Sequence, residues 1–303
     1  MSVDVACGDL AFVDITFAGL ERVPGPGEER RAQDLLRSPG GAAITAIALS
    51  RLGLTVALVS PIGTDTDGDF LRGQLTAERV RWAGRDVPRT ATTAIMPVAG
   101  DRAMATYDPG EQATAAELAA VDPQAVVISL PRLGLVPATA TLYATAGDDE
   151  ARADAVEQAD LSGTRAVIVN EREACVMTGA SPGESAVRKL AARAPCAIVT
   201  LGDRGAVAIC EDRFVRVPGI PAEAVDTTGA GDLFTAAYVW ADRLGLALED
   251  RLRWAVLYAA LSVRVPTALA GAVTRNALVE AGAAHGLVLP VPPSSVPMKE
   301  KAR

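Results

Sequence analysis

The sequence predicts an α/β fold, a doubly wound, mainly parallel sheet flanked by helices, and three observations over its 303 residues point that way. Short apolar runs alternate with helix-like segments along most of the chain. The runs are continuously apolar, as expected of strands buried on both faces. The segments between them carry small residues that allow a helix to pack closely on a sheet.

Strands are expected over VDVAC (3–7), TVALVS (55–60), AVVISL (125–130), ATLYA (140–144), RAVIVN (165–170) and CAIVTL (196–201). Between them, ITAIALSRLG (44–53), GDFLRGQLTAERV (68–80), GDDEARADAVEQA (147–159) and GESAVRKLAARA (183–194) read as helices. Such alternation builds right-handed crossovers. A mostly helical tail follows over 233–245, 249–265 and 275–286, expected to cover one sheet face.

Residues 10–38 and 90–107 break the pattern. The second contains two apolar runs around Gly100-Asp101, as in a hairpin. Together they are expected to pair into a small β-sheet lid, inserted into a single domain spanning 1–290. A lid excludes water from reactive phosphates. The proline- and charge-rich end, 291–303, reads as a disordered tail.

Half of the residues are hydrophobic, enough for a sizeable core. The net charge of -8 is spread along the chain without a basic block, and only 4% of residues are aromatic. That excludes nucleic acid or an anionic membrane as principal partner and favours a small molecule. Cys7, Cys175, Cys196 and Cys210 lie in apolar stretches without CxxC spacing, so neither a disulfide framework nor a structural zinc is expected. With no signal peptide or membrane-spanning run, the reading is cytoplasmic. The single histidine, His285, excludes serine-protease-type triads and multi-histidine metal sites by inventory and reads as an ordinary surface or helix-end residue.

Two glycine-rich stretches carry the chemistry. In PGGAAITAIALSRLG (39–53), Gly40-Gly41 precede a helix whose first turn is all small, so a ligand can approach the backbone; taken alone, the pair is more often a plain tight turn. DTTGAGD (226–232) says more. If the amides of Gly229, Ala230 and Gly231 open a helix near Asp232, they form a nest for charge developing on a phosphoryl group. Asp232 beside that nest can accept the proton of an attacking hydroxyl. Alone, Asp232 serves as well as a helix-dipole partner, worth about 0.3–1 kcal/mol.

DTTGAGDLFTAAY resembles the C-terminal signature D-T-x-G-A-G-D of the ribokinase-like, or PfkB-type, carbohydrate and nucleoside kinases, and PGGAAITAIALSRLG resembles their N-terminal glycine-pair signature. Gly8-Asp9 to Asp14, SPIGTDTDGDFLRGQL (60–75), ATYDPGE (105–111), NERE (170–173) and TLGDRG (200–205) follow in the family's order. The resemblance covers nearly the whole chain. It implies transfer of the γ-phosphate of ATP to a substrate hydroxyl, with Asp232 as base, the 229–231 amides as anion hole and Asp226 and Thr227 beside the phosphates. Asp14, Gly40 and Gly41 would meet the substrate. Thr200, Gly202 and Gly205 would line the nucleotide.

Asn170 and Glu173 match the family's N-x-x-E, whose acidic member organises Mg²⁺ and its waters; three residues apart, they also fit a helix capping box. Thr45 stands where the family commonly has an asparagine that bonds substrate hydroxyls, and the Asp-x-Asn-x-Arg run is replaced by TAGDDEAR. The substrate therefore stays open between a sugar and a nucleoside, the latter stacking on Tyr107, Phe12 or Phe17. A non-catalytic nucleotide-binding regulator is a third reading, with Thr45 in its favour. A Rossmann oxidoreductase lacks its G-x-G-x-x-G, since CGDLAF follows the first strand. Monovalent-cation activation is left open, and the resemblance implies a homodimer through the lid.

Overall fold

The structure, a computed structural model, describes residues 2–98, 101–147 and 159–289. All six expected strands are present: β1 (Val3–Cys7), β4 (Val56–Leu58), β10 (Pro123–Ser129), β11 (Thr141–Thr145), β12 (Ala166–Asn170) and β13 (Cys196–Thr200). They pair in parallel, and with β6 (Arg81–Trp82), β14 (Ala206–Cys210) and β15 (Arg213–Val217) they make a nine-stranded sheet in the order β15-β14-β13-β12-β11-β10-β1-β4-β6. The β13–β14–β15 end is antiparallel. Val5, Ala6, Val126, Ile128 and Ile198 are fully buried, which is why the parallel strands read as continuous apolar runs.

The two excursions pair as expected. β2 (Ala11–Ala18), β3 (Asp34–Gly41), β8 (Thr92–Val98) and β9 (Asp101–Tyr107) form a four-stranded sheet in the order β3-β2-β8-β9. β3 runs through the glycine pair itself, so Gly40-Gly41 end a strand of this sheet and lead into α1 (Ala42–Arg51). β5 (Ile62–Gly63) and β7 (Asp86–Val87) make a minor pair near α2 (Thr66–Ala77).

Helix α3 (Ala115–Ala120) precedes β10, and α4 (Glu171–Thr178) and α5 (Glu184–Ala191) lie between β12 and β13. The tail supplies α6 (Ala230–Arg243), α7 (Leu248–Ser262), α8 (Ala268–Gly271) and α9 (Arg275–Ala283). One face of the large sheet buries Ile47, Leu49, Leu233, Trp240 and Trp254 from α1, α6 and α7; the other buries Met177, Val187 and Leu190 from α4 and α5. Each such side chain stabilises the fold by about 1.5–3 kcal/mol. Trp240 and Trp254 meet edge to face, ring centroids 5.7 Å apart, locking α6 to α7.

One sequence expectation is corrected. Cys196 and Cys210 stand directly opposite each other on β13 and β14 and are joined by a disulfide. A separation of 14 residues across a hairpin leaves no CxxC-like trace, and the hairpin itself was not read from the sequence. The helix expected over 147–159, the hairpin tip at Gly100 and the tail 291–303 fall outside the described residues, apart from residues 147 and 159. Among the described residues no helix is long and apolar enough to cross a membrane.

Candidate active site

Beyond the carboxyl ends of the parallel strands, where ligands of open α/β sheets gather, two cavities meet. The first, about 510 Å³, is lined by Cys7 of β1, Thr145 of β11, Asn170 of β12 and Thr200 of β13, and on the small-sheet side by Phe12 and Arg102. The second, about 640 Å³, lies between the β13–β14 turn and helices α6 and α7, against Gly202, Gly205, Ile220, Ala224, Val256 and Val263. Arg102, Asn170, Thr200, Thr227 and Gly231 line both.

DTTGAGD occupies that junction. Gly229 caps α6 in the left-handed conformation, φ 73°, and a Cβ there would run into the Ala268 methyl and lie 3.1 Å from Ile44 Cδ1. Only glycine satisfies both demands. The first amides of a helix have no intrahelical acceptor. Among the described residues the Gly231 N–H has no backbone acceptor, whereas Leu233 donates to the Gly229 carbonyl at 3.0 Å. Gly229 and Gly231 face the first cavity, and Ala230 and Gly231 the second; the Ala230 N–H donates back to the Thr227 carbonyl at 3.4 Å, so the Gly231 amide and the positive end of the helix dipole are what the turn presents where the cavities join.

Asp232 lines the first cavity, partly buried, and its Oδ1 accepts a hydrogen bond from Thr45 Oγ1 at 3.0 Å. Burial lifts its pKa to about 6; the Thr45 hydroxyl opposes the rise, Asp9 adds to it, and its own backbone N–H and Arg102 oppose it. Arg102, on β9, also donates to Thr227 Oγ1 at 3.3 Å, so the small sheet contributes a cation at the 226–232 turn.

Asn170 and Glu173 realise the capping box in full: Glu173 N–H donates to Asn170 Oδ1 at 2.8 Å and Asn170 N–H to Glu173 Oε2 at 2.7 Å. Both also line the first cavity, so the cap holds the carboxylate at its rim. Gly41 and Thr45 line the first cavity, and Gly202 and Gly205 the second.

Three expected residues line neither cavity. Asp226 accepts from the Thr228 N–H at 2.8 Å and the Thr267 N–H at 3.0 Å, tying the turn to the segment after α7. Gly40 lies under the Asp14 carboxylate, which a Cβ at 40 would displace. Asp14 is itself buried on the face of β2 that carries Phe12. Burial, with Asp232 and Asp226 adding and Arg102 opposing, pushes its pKa up to about 7.

Sequence reading missed Arg102, Gln112 and Arg132, and gave Asp9 and Asp108, both inside quoted motifs, no role; all line the first cavity. Asp9 Oδ1 accepts from Arg132 Nη1 at 2.5 Å and from Ser129 Oγ at 2.7 Å. The available signal was position. Asp9 and Arg132 follow the carboxyl ends of predicted strands, where a polar residue faces the crevice.

The model of the pfkB family carbohydrate kinases matches residues 4–275. The ribokinase of Bacillus subtilis is 28% identical over 277 residues, covering 86% of this chain and 93% of its own length. A ribokinase-like protein of Escherichia coli, solved with ATP and Mg²⁺, superposes with a TM-score of 0.77 at 20% identity, covering 94% of this chain and 100% of that one. The ribokinase of Arabidopsis thaliana, solved with ribose and ATP, gives 0.74 at 21% identity, covering 93% and 99%. The two structural likenesses establish the fold. With nine tenths of the sequence matched by the family's own pattern, this chain belongs to the pfkB family of carbohydrate kinases and is a sugar kinase.

Proposed function

We propose that the chain moves the γ-phosphate of Mg-ATP to a hydroxyl of a small sugar, with Asp232 as general base. The junction of the two cavities at Thr227 and Gly231, with Asp232 on one side only, is the observation that carries this reading. The acceptor lies in the first cavity and the nucleotide in the second, its adenine against Val256, Ala259 and Val263. The acceptor hydroxyl gives its proton to Asp232, its oxygen bonds the γ-phosphorus, and the bond to the bridging oxygen breaks to release ADP. Amides at 229–231 and the Arg102 guanidinium receive the charge on the transferring group.

Among the described residues no three acidic, histidine or cysteine side chains gather to hold a metal. Glu173 in the first cavity and Asn170 at the junction nonetheless fit Mg²⁺, which keeps several waters and binds mainly through phosphate oxygens. When bound with ATP it would neutralise phosphate charge. The Escherichia coli relative's complex with ATP and Mg²⁺ and the Arabidopsis thaliana relative's with ribose and ATP support the pairing of substrates.

A sugar is favoured over a nucleoside because Phe12, alone among Tyr107, Phe12 and Phe17, lines the acceptor cavity. The regulatory reading loses its main support, because Thr45 is engaged with the base rather than lost from the site. ADP release from Mg-ATP over a panel of sugars, sugar phosphates and nucleosides tests the proposal. Turnover on a sugar supports it; bound ATP with no turnover on any acceptor removes it.

The small sheet is proposed to act as the lid and as a homodimer contact, since Phe17 and Leu35, 37% and 60% exposed, face each other across β2 and β3. Sedimentation at micromolar concentration is expected to give a dimer, and a monomer would end that proposal.

A further inference from the structure

Gln112 lines the acceptor cavity, and its side-chain oxygen Oε1 is buried without a hydrogen-bond partner among the described residues. An unpaired buried acceptor costs about 1–3 kcal/mol, so folded proteins rarely leave one without a use. The residue is firmly placed. Arg85 donates to the Gln112 carbonyl at 3.0 Å while also holding Glu111 and Glu117, and Thr114, two positions on, caps α3. The terminal amide torsion of a glutamine is soft, so this amide can turn to meet a ligand in the cavity it lines.

Two further lining residues fix the charge of this wall. Asp9 and Arg132 follow β1 and β10, adjacent strands from which the chain departs in opposite directions across the sheet, β4 lying on the far side of β1. That is the switch point at which open α/β sheets hold ligands. The Arg132 guanidinium is engaged by the Asp9 carboxylate and Ser129 hydroxyl, at 2.5 and 2.6 Å. Asp108 adds another carboxylate to the lining. Away from the residues that line both cavities, one cation, Arg132, therefore stands against four carboxylates, Asp9, Asp108, Glu173 and Asp232.

We propose that Gln112 accepts a hydrogen bond from a hydroxyl of the acceptor, and that the Asp9–Arg132 pair and the other carboxylates of the same cavity make it select neutral polyhydroxylated sugars over sugar phosphates and sugar acids. This rests on the first cavity being the acceptor site. A hydroxyl satisfies the orphaned oxygen; an ionised phosphate or carboxylate group set against it offers no such donor and would add a like charge to a cavity that holds Asp9 and Asp108.

The test uses the full-length protein with Mg-ADP and with Mg-ATP. Calorimetric binding and ADP release are measured for D-ribose, D-fructose and D-glucose against ribose 5-phosphate, fructose 6-phosphate and gluconate. At least one neutral sugar is expected to bind about a hundredfold more tightly than its anionic counterparts. Gln112→Leu, of matched size, is expected to raise the KM for that sugar about tenfold or more with kcat and the KM for ATP little changed, the value of one hydrogen bond. Gln112→Glu keeps an acceptor and is expected to lose less than the leucine variant. Thermal unfolding of each variant identifies a loss caused by misfolding.

Preference for an anionic sugar, no binding of any sugar, or an unchanged KM in folded Gln112→Leu would overturn the proposal. Binding of a neutral sugar through Gln112 without ADP release would uphold it and remove the kinase mechanism instead.

Discussion

Asp232→Asn is expected to lower kcat by about a hundredfold to ten-thousandfold while the affinity for ATP stays near that of the wild type. The amide keeps the shape of the carboxylate and can still meet the Thr45 hydroxyl, but it cannot take a proton from the acceptor. Nothing in the proposed nucleotide cavity is altered, since Asp232 does not line it. A variant with wild-type turnover would remove Asp232 as the base.

The wild-type pH profile gives an independent check. A base works only when ionised, so kcat/KM is expected to rise with pH through about 6 and level off above it. Asp14, with a pKa near 7, does not line the cavity, so Asp14→Asn should leave a limb near 6 in place. Linkage gives the stability sign. The folded pKa of Asp232 lies above its unfolded value near 3.8, so its favourable contribution is full below that value and is lost as pH rises through about 6. Above pH 7 the asparagine variant is therefore expected to be at least as thermally stable as the wild type. Lost activity combined with a lowered Tm would mark Asp232 as structural.

How far the sequence anticipates this site depends on how local each feature is. Parallel strands such as β1 and β12 are buried on both faces and reveal themselves as apolar runs. DTTGAGD is local as well: its left-handed glycine, helix start and carboxylate fit within seven residues, so its arrangement could be read before the fold was known. The Thr45–Asp232 bond spans 187 positions and the Asp9–Arg132 pair 123, and neither has a sequence signature. Asp226 sits in the recognisable motif, yet its carboxylate holds one backbone amide of the turn and one of the segment after α7, a role that emerges only once that segment is in place. Asn170 and Glu173 offered two readings, and the structure joins them: the cap is complete and also sits at the cavity.

The largest stability effect is expected far from the chemistry, at the other end of the helix that Asp232 begins. Asp242, its side chain 4% exposed, accepts from Arg165 Nε and Nη2 at 2.9 and 2.8 Å, from Tyr143 Oη at 2.5 Å, and pairs with Arg251 Nη1 at 2.6 Å. These contacts join α6 to β11, to the residue before β12 and to α7, holding the helix whose first turn is the proposed anion hole. Burial works against the ionised carboxylate, but Arg165, the Tyr143 hydroxyl and Arg251 outweigh it and hold its pKa below the usual range. Its contribution is therefore present above the unfolded value near 3.8 and lost as pH falls through the lower folded value.

Asp242→Asn keeps the shape but leaves the largely buried Arg251 without its counter-charge, and breaking a buried pair from one side costs about 3–5 kcal/mol. For a chain of this length that lowers Tm by roughly 5–15 °C. Replacing Arg251 by Met in the same chain removes the stranded cation, so the double variant is expected to be less destabilised than the sum of the two single changes. Assayed well below its Tm, Asp242→Asn should retain the wild-type KM for ATP, because none of these four residues lines either cavity. Denaturant unfolding within about 0.5 kcal/mol of wild type would show that the network does not anchor the helix.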